Sequence, residues 1–445
     1  MRSALLAPGA LLICGSLLAA PAAAQPPQAQ TTQAPEAVGT PPMSPARPEP
    51  PPSKGFWSWL DFSALPFIPV PEIDADPYSG TTLGLIGVYL VNNEQQQIKQ
   101  IFAPDVIYNS NFGYGMRGRV FSYPSDDTQW SVVGGGKQRI ESEFDAEYAA
   151  GRTRRDHWSF NASIIYDRSG SPRYYGVGND TTVAGATNYT EQQKLLETVV
   201  GSNFNPAWQL GWLSRLREVD ITPGHLSGIP SIEVLYPETV IRAERTEWVN
   251  RLYLSYDSRN DLTIPTSGMN WVVYAGGASP TEDINASLYT EAGTDWREYW
   301  TLSSNGVLAA HVGLRYVPHT SHATEIPFWA LSGIGGEESV VGSDQTLRGF
   351  GPARFRDRDS FAVNLEYRRH LFSLNALNTR VAVELAPFFD AGRVFRSSST
   401  DPLSGLHKVL GLGFRGIASP NVVGYVDVGH GDEGTVVFSG LNYPF

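Results

Sequence analysis

From Gly80 to its end the chain alternates apolar and polar residues in runs of about ten, the period of a strand whose two faces meet different surroundings. The pattern is cleanest in Phe361–Leu371, where Ala362, Asn364, Glu366, Arg368 and His370 share one face. Phe361, Val363, Leu365, Tyr367 and Leu371 share the other. Arg380–Asp390 repeats it, with Arg380, Glu384 and Asp390 opposite Val381, Val383, Leu385 and Phe389. Lys408–Ser419 sets Leu410, Leu412 and Phe414 against glycines and Arg415.

Strands are also predicted at Gly80–Val91, Ile98–Asn109, Gly113–Tyr123, Gln129–Tyr148, His157–Asp167 and Glu191–Asn203. Trp208–Asp220, Ala243–Asp257, Met269–Gly277, Ile284–Leu302 and Gly306–Val317 follow, then Pro327–Gly335, Val422–Gly429 and Thr435–Phe445. Breaks such as Asn92-Asn93 and Pro124–Asp127 carry turn residues, and no stretch has a convincing helical period. Closure with both termini on one side needs an even number, so about seventeen candidates are read as about sixteen strands. The surplus is placed within Gln129–Asp167.

Alternation also suits a soluble sandwich with its polar face outward. Charge on one face and large apolar or aromatic residues on the other, over many strands of this length, favour an all-β transmembrane antiparallel barrel. A formal net charge of −12 over 445 residues argues against a nucleic-acid groove, which needs a basic face.

The first residues read as a secretory signal peptide. Arg2 precedes the apolar run Ala4–Ala20, and Ala22-Ala23-Ala24 supplies small residues for cleavage before Gln25. The single cysteine, Cys14, lies inside this segment after Ile13, which is too large to precede a lipid-bearing cysteine. The mature chain is thus expected to hold no disulfide and no thiolate metal site. It has no apolar run long enough for a transmembrane helix. Gln25–Gly55 is Pro-rich and reads as a flexible tail; Phe56–Leu60, with Phe62 and Phe67, reads as an aromatic lead-in. The expected division is signal peptide 1–24, periplasmic tail and lead-in 25–76, and barrel 77–445.

One loop stands out. Gly335–Phe350 is polar, glycine-rich and too long for a tight hairpin, and connections of that kind are usually functional. Its end, Leu347-Arg348-Gly349-Phe350, sets one cation among apolar neighbours. Paired Gly335-Gly336 entering the loop, and Arg348-Gly349-Phe350 closing it, resemble the hallmark loop of the BamA/TamA superfamily, the bacterial surface-antigen family. Three further stretches are similar to that family. The first is a turn with Asp257, Arg259, Asp261, Pro265 and Gly268; the second is Arg173–Asp180, with its Tyr-Gly-Val-Gly-Asn turn. The third is Phe388–Gly392, followed by an aromatic C-terminal strand. The resemblance covers roughly Gly80 to Phe445.

The resemblance implies a loop folded back into the lumen, with Arg348 paired to Glu366 and Asp390. Parity independently puts both acids on polar faces, and an arginine fork makes bidentate bonds that lysine does not copy. Leu441, Tyr443 and Phe445 alternate at the end and look like a signal read by the barrel-assembly machinery. Family members usually carry POTRA domains before the barrel. Gln25–Asp76 is too short and proline-rich for one, so the resemblance is to a POTRA-less branch.

No nucleophile elbow or phosphate-binding loop is present. His319, His322 and Glu325 fall in a loop where their spacing fixes no metal geometry. Neither catalytic residue, cofactor nor metal is expected. The resemblance implies an outer-membrane barrel that assists insertion or translocation of proteins, or of lipid, among client proteins and outer-membrane lipid. The alternatives are a passive pore and, last, a barrel-embedded lipase.

Overall fold

The computed structural model describes residues 67–76, 80–93, 98–125, 127–241, 245–281, 287–320, 326–336, 345–376, 379–396, 401–418, 422–441 and 443–445. The expected signal peptide, the Pro-rich tail, His322 and Glu325 lie outside them, as do residues 337–344 of the long loop.

Alternation becomes strand throughout. β1 (Ile68–Asp76), β2 (Gly80–Asn92), β3 (Ile98–Phe102), β4 (Asp105–Asn109) and β5 (Gly113–Ser122) come first. β6 (Thr128–Lys137), β7 (Ser142–Ala150), β8 (Trp158–Ser169), two-residue β9 (Arg173–Tyr174) and β10 (Thr187–Asn203) follow. Next are β11 (Trp208–Pro223), the helical turns α1 (Ile232–Leu235) and α2 (Pro237–Ile241), then β12 (Arg245–Asp257) and β13 (Gly268–Pro280). β14 (Tyr289–Ser303) and β15 (Gly306–Thr320) lead to β16 (Ser332–Ile334) and β17 (Phe355–Asp357), which pair with each other in a separate two-stranded sheet. β18 (Asp359–Ala376), β19 (Thr379–Phe395), β20 (His407–Ala418), β21 (Val422–Gly431) and β22 (Gly434–Leu441) finish the chain.

The remaining strands form one 20-stranded antiparallel sheet that curls round until β22 meets β1 at Ala75↔Val437. Two strands add no position of their own. β3 and β4 lie end to end between β2 and β5, broken at Ala103-Pro104, and β9 caps the end of β10. Among the described residues eighteen positions remain around the sheet, an even number that brings β1's start and β22's end to one rim.

That number corrects the expected sixteen at three places. Gln129–Tyr148 is two strands, β6 and β7, because the chain turns at Arg139–Glu141 without a glycine or proline. Ile140 takes the left-handed conformation there (φ 63°), which a β-branched residue seldom adopts, so the turn left no ordinary signal. Pro327–Gly335 is not a wall strand: Phe328–Ala330 forms a 3₁₀ turn, and Phe328 and Trp329 are buried in a core of loop and strand residues. Ile68–Asp76, expected to be lead-in, is a wall strand despite Pro69 and Pro71.

The partition of side chains is the reverse of a soluble protein's. Large apolar residues face outward, among them Met116, Ile164, Leu210, Leu252, Leu410 and Phe414, with Leu410 68% exposed. Arg119, Glu197, Arg215, Glu247, Arg251, Glu291 and Asp295 face inward and are buried. An apolar exterior around a charged interior is stable only when the exterior meets lipid. Leu412, outward near the middle of β20, tests this. Leu412→Arg is expected to cost ~2–4 kcal/mol, the scale for a cation at mid-membrane on a barrel's outer wall. Urea titration of the barrel folded into lipid vesicles measures it.

Candidate functional site

The long connection between β15 and β18 turns into the lumen and is pinned there at its neck. Leu347 N–H donates to Gly335 O at 2.7 Å, and Gly336 N–H donates to Phe350 O at 3.1 Å. Asn364 of β18 donates from Nδ2 to the carbonyls of Gln345 and Thr346 at 3.2 and 3.1 Å. Gly336 has no room for a side chain, since a Cβ would stand 2.2 Å from the Phe438 ring. Next to Arg348, a Cβ on Gly349 would meet Gly431 N and Val409 Cγ1 at 2.8 Å. Phe350 is buried in an apolar cluster with Ile334, Leu347, Phe355, Phe388, Val394 and Val409.

Those contacts place Arg348 inside the lumen against the inner face of β18–β21, with 0% of its side chain exposed. Its Nε and Nη2 grip both Asp390 oxygens at 3.0 and 2.8 Å, and its own backbone N–H adds a third bond to Asp390 at 3.0 Å. Nη1 reaches Glu366 Oε2 at 2.5 Å and Asp427 Oδ2 at 3.2 Å. The Phe388 ring lies 3.6 Å from the guanidinium carbon, a stacking distance for a cation over an aromatic face. Arg415 shares two of the acids, donating to Glu366 Oε2 at 2.9 Å and binding both oxygens of Asp427. Arg368 donates from Nε to the other Glu366 oxygen at 2.9 Å. Three guanidiniums thus meet three carboxylates, and this balance of charge is what makes burial tolerable.

The sequence had named Arg348, Glu366 and Asp390, and the structure brings these three together. It had not named Asp427, although Asp427 has the inward parity of β21 beside Tyr425 and Gly429. Arg368 and Arg415 were read only as polar-face residues. A second clamp was also missed. Arg354, six residues past Arg348, binds Glu433 with Nε–O distances of 2.9 and 2.8 Å and donates to Thr181 O at 2.8 Å. Tyr175 of the Arg173–Asp180 stretch stacks beneath it at 3.9 Å. Asn179 of the same stretch donates to Gly405 O at 2.9 Å and accepts from Val394 N at 3.0 Å. The stretch therefore ties the loop base to the β19–β20 connection.

The other predicted turn stands apart, on the rim of the chain termini. Arg259 folds back on Asp257 with Nη2–Oδ2 at 2.6 Å, and Asp261 accepts from the N–H groups of Thr263 and Ile264. Gly268 there has φ +90°, and a Cβ would meet Ser258 O at 2.2 Å; Pro265 lies within the turn. The chain's end also differs from an alternating strand. β22 stops at Leu441, whose side chain is outside the described residues, and Tyr443 and Phe445 turn into the lumen. Phe445 stacks on His311 with centroids 5.6 Å apart, and Tyr443 donates to Glu384 Oε2 at 3.1 Å.

A lipid-facing barrel with a charged lumen and an inward loop held by a buried arginine defines a class of outer-membrane barrel. A family profile described as "Omp85 superfamily domain" matches residues 128–414, and the chain belongs to that superfamily. Among solved structures, BamA from Haemophilus ducreyi lacking POTRA domains 1-3 is similar with a TM-score of 0.50 at 13% identity, over 80% of this chain and 74% of that one. CdiB from Escherichia coli gives 0.44 at 12%, over 84% and 61%. CdiB from Acinetobacter baumannii gives 0.39 at 12%, over 84% and 58%. The chain thus spans less than two thirds of either CdiB. At these identities the likeness bears on the fold alone. No curated protein matches the sequence.

Removing one partner from a buried ion cluster strands the rest, at a typical cost of ~3–5 kcal/mol. Arg348→Ala is expected to lose that much, and Arg348→Lys to recover little, because an ammonium cannot fork onto Asp390 while reaching Glu366. Urea midpoints of the purified barrel, read by loss of heat-modifiable migration, check both.

Proposed function

We propose that this chain assists insertion or translocation of proteins at the outer membrane, or moves lipid there, by parting its seam rather than by covalent chemistry. The seam is the observation that carries the reading. β1 pairs with β2 along its whole length, whereas among the described residues its only register pair with β22 is Ala75↔Val437. On the other side, β21 and β22 pair from Gly431↔Gly434 to Gly424↔Leu441.

Part of the cause lies in β1. Gly87 N–H donates to Pro104 O at 2.9 Å, away from β1. Its register partner Pro69 must then turn its own backbone groups away from β2, toward β22. Pro69, and Pro71 two residues on, therefore present no N–H to the seam. β2, the first strand expected from the alternation, is thus separated from β22 by β1. An edge short of hydrogen bonds is where a client strand can add by pairing.

On this reading Arg348, Glu366 and Asp390 brace the loop, and Gly335 and Gly336 form its entry. The rim of the termini faces the periplasm, with the tail before β1 on that side and the signal peptide removed at Ala24. Leu441, Tyr443 and Phe445 serve as the signal by which the barrel-assembly machinery inserts this chain. The partners are client outer-membrane or secreted proteins. A passive pore needs an open lumen, and here Gln345–Phe350 stand in it.

Cysteines at Ala75 and Val437 test the reading, since the only native cysteine is Cys14. Oxidation is expected to lock the seam and abolish complementation of a deletion strain, and reductant to restore it. A locked barrel that complements fully would favour the pore.

A further inference from the structure

Arg368 is not satisfied by the ion cluster it adjoins. Its Nε uses Glu366, but Nη1 and Nη2 have no hydrogen-bond partner and no surface that water reaches. Among the described residues it is the only buried arginine with both terminal nitrogens in that condition. Its side chain is 2% exposed. Buried donors without acceptors are costly, and a planar guanidinium with both Nη groups free has the geometry that binds a carboxylate bidentately.

The cover over those nitrogens is the end of the chain. The Tyr443 ring lies 3.5 Å from the guanidinium carbon, with Tyr299 and Phe445 further out at 5.5 and 5.8 Å. Tyr443 is itself held by Glu384, and Phe445 packs with Tyr299 and Ala309. The tail supplies rings where the arginine lacks oxygens. It also shows that the space beside Arg368 accepts a peptide segment bearing aromatic side chains.

We propose that Arg368 anchors a covered binding site for a carboxylate, opened when the tail Tyr443–Phe445 lifts toward the rim of the termini. The carboxylate takes the two Nη groups, Glu366 keeps Nε, and the vacated Tyr299–Ala309 pocket receives an aromatic ring if the ligand carries one. The carboxylate can come from a polypeptide end or from a free small acid. The site does not depend on the insertion reading, because it is measured on the isolated barrel without a client.

The test is arginine-selective labelling of the full-length barrel with phenylglyoxal, read residue by residue by peptide mass spectrometry. In Tyr443→Ala, Arg368 is expected to label roughly tenfold faster than in the wild-type barrel, as for a group released from local opening. Arg348 and Arg415 should stay unlabelled. Glu384→Gln weakens the bond that holds Tyr443 while leaving the tail's own residues intact, and should give a smaller rise. N-acetylphenylalanine should slow the labelling of Arg368, and its amide, lacking the carboxylate, should not. Equal protection by acetate assigns the site to any small carboxylate; stronger protection by the aromatic acid assigns it to a chain end. Equal protection by acid and amide overturns the proposal. So does an unlabelled Arg368 in folded Tyr443→Ala, which would mean that Glu384 takes the freed guanidinium.

Discussion

A guanidinium with no exposed surface is the constraint on which the lumen depends. Left alone there, Arg348 would cost several kcal/mol in lost hydration. It is tolerable only while Glu366, Asp390 and Asp427 stand around it, and these come from β18, β19 and β21. One side chain on a loop thereby ties three wall strands to one another. The register of those strands and the position of the loop are a single requirement, since a one-residue slip in any of them would turn its acid toward lipid.

Close approach of backbone to backbone carries the same requirement. Gly349 presses on His430 and Gly431, while a Cβ on Gly429 would fall 2.1 Å from Arg348 O. Glycines on both partners let the loop lie directly against β21, which is what brings Arg348 within reach of Asp427. The ion cluster and the glycine contact are therefore two halves of one docking.

Most of the wall was legible because alternation is a local signal with a lipid-facing consequence. Phe361–Leu371 and Arg380–Asp390 could be assigned faces from parity, and that parity puts Glu366 and Asp390 where Arg348 meets them. What escaped lacked a local signal. Ile140 turns the chain without a turn residue, and Phe328-Trp329 looks like lipid-facing strand although it is buried beneath loops. Asp427 and the Arg354–Glu433 clamp depend on contacts across 79 residues of sequence, which no window along the chain contains. Strand β1 was hidden by its prolines, which argue against a strand until one knows that their missing donors lie on an open edge.

That edge has a chemical sidedness. At Pro69 and Pro71 the lip formed by β1 offers carbonyls but no donors, so it accepts more than it gives. The opposite lip, Gly434–Leu441, contains no proline and keeps both donor and acceptor at each alternate residue that it turns to the seam. The two borders of the opening are thus unequal templates, and a strand seeking reciprocal backbone bonds finds a fuller set along β22 than along β1.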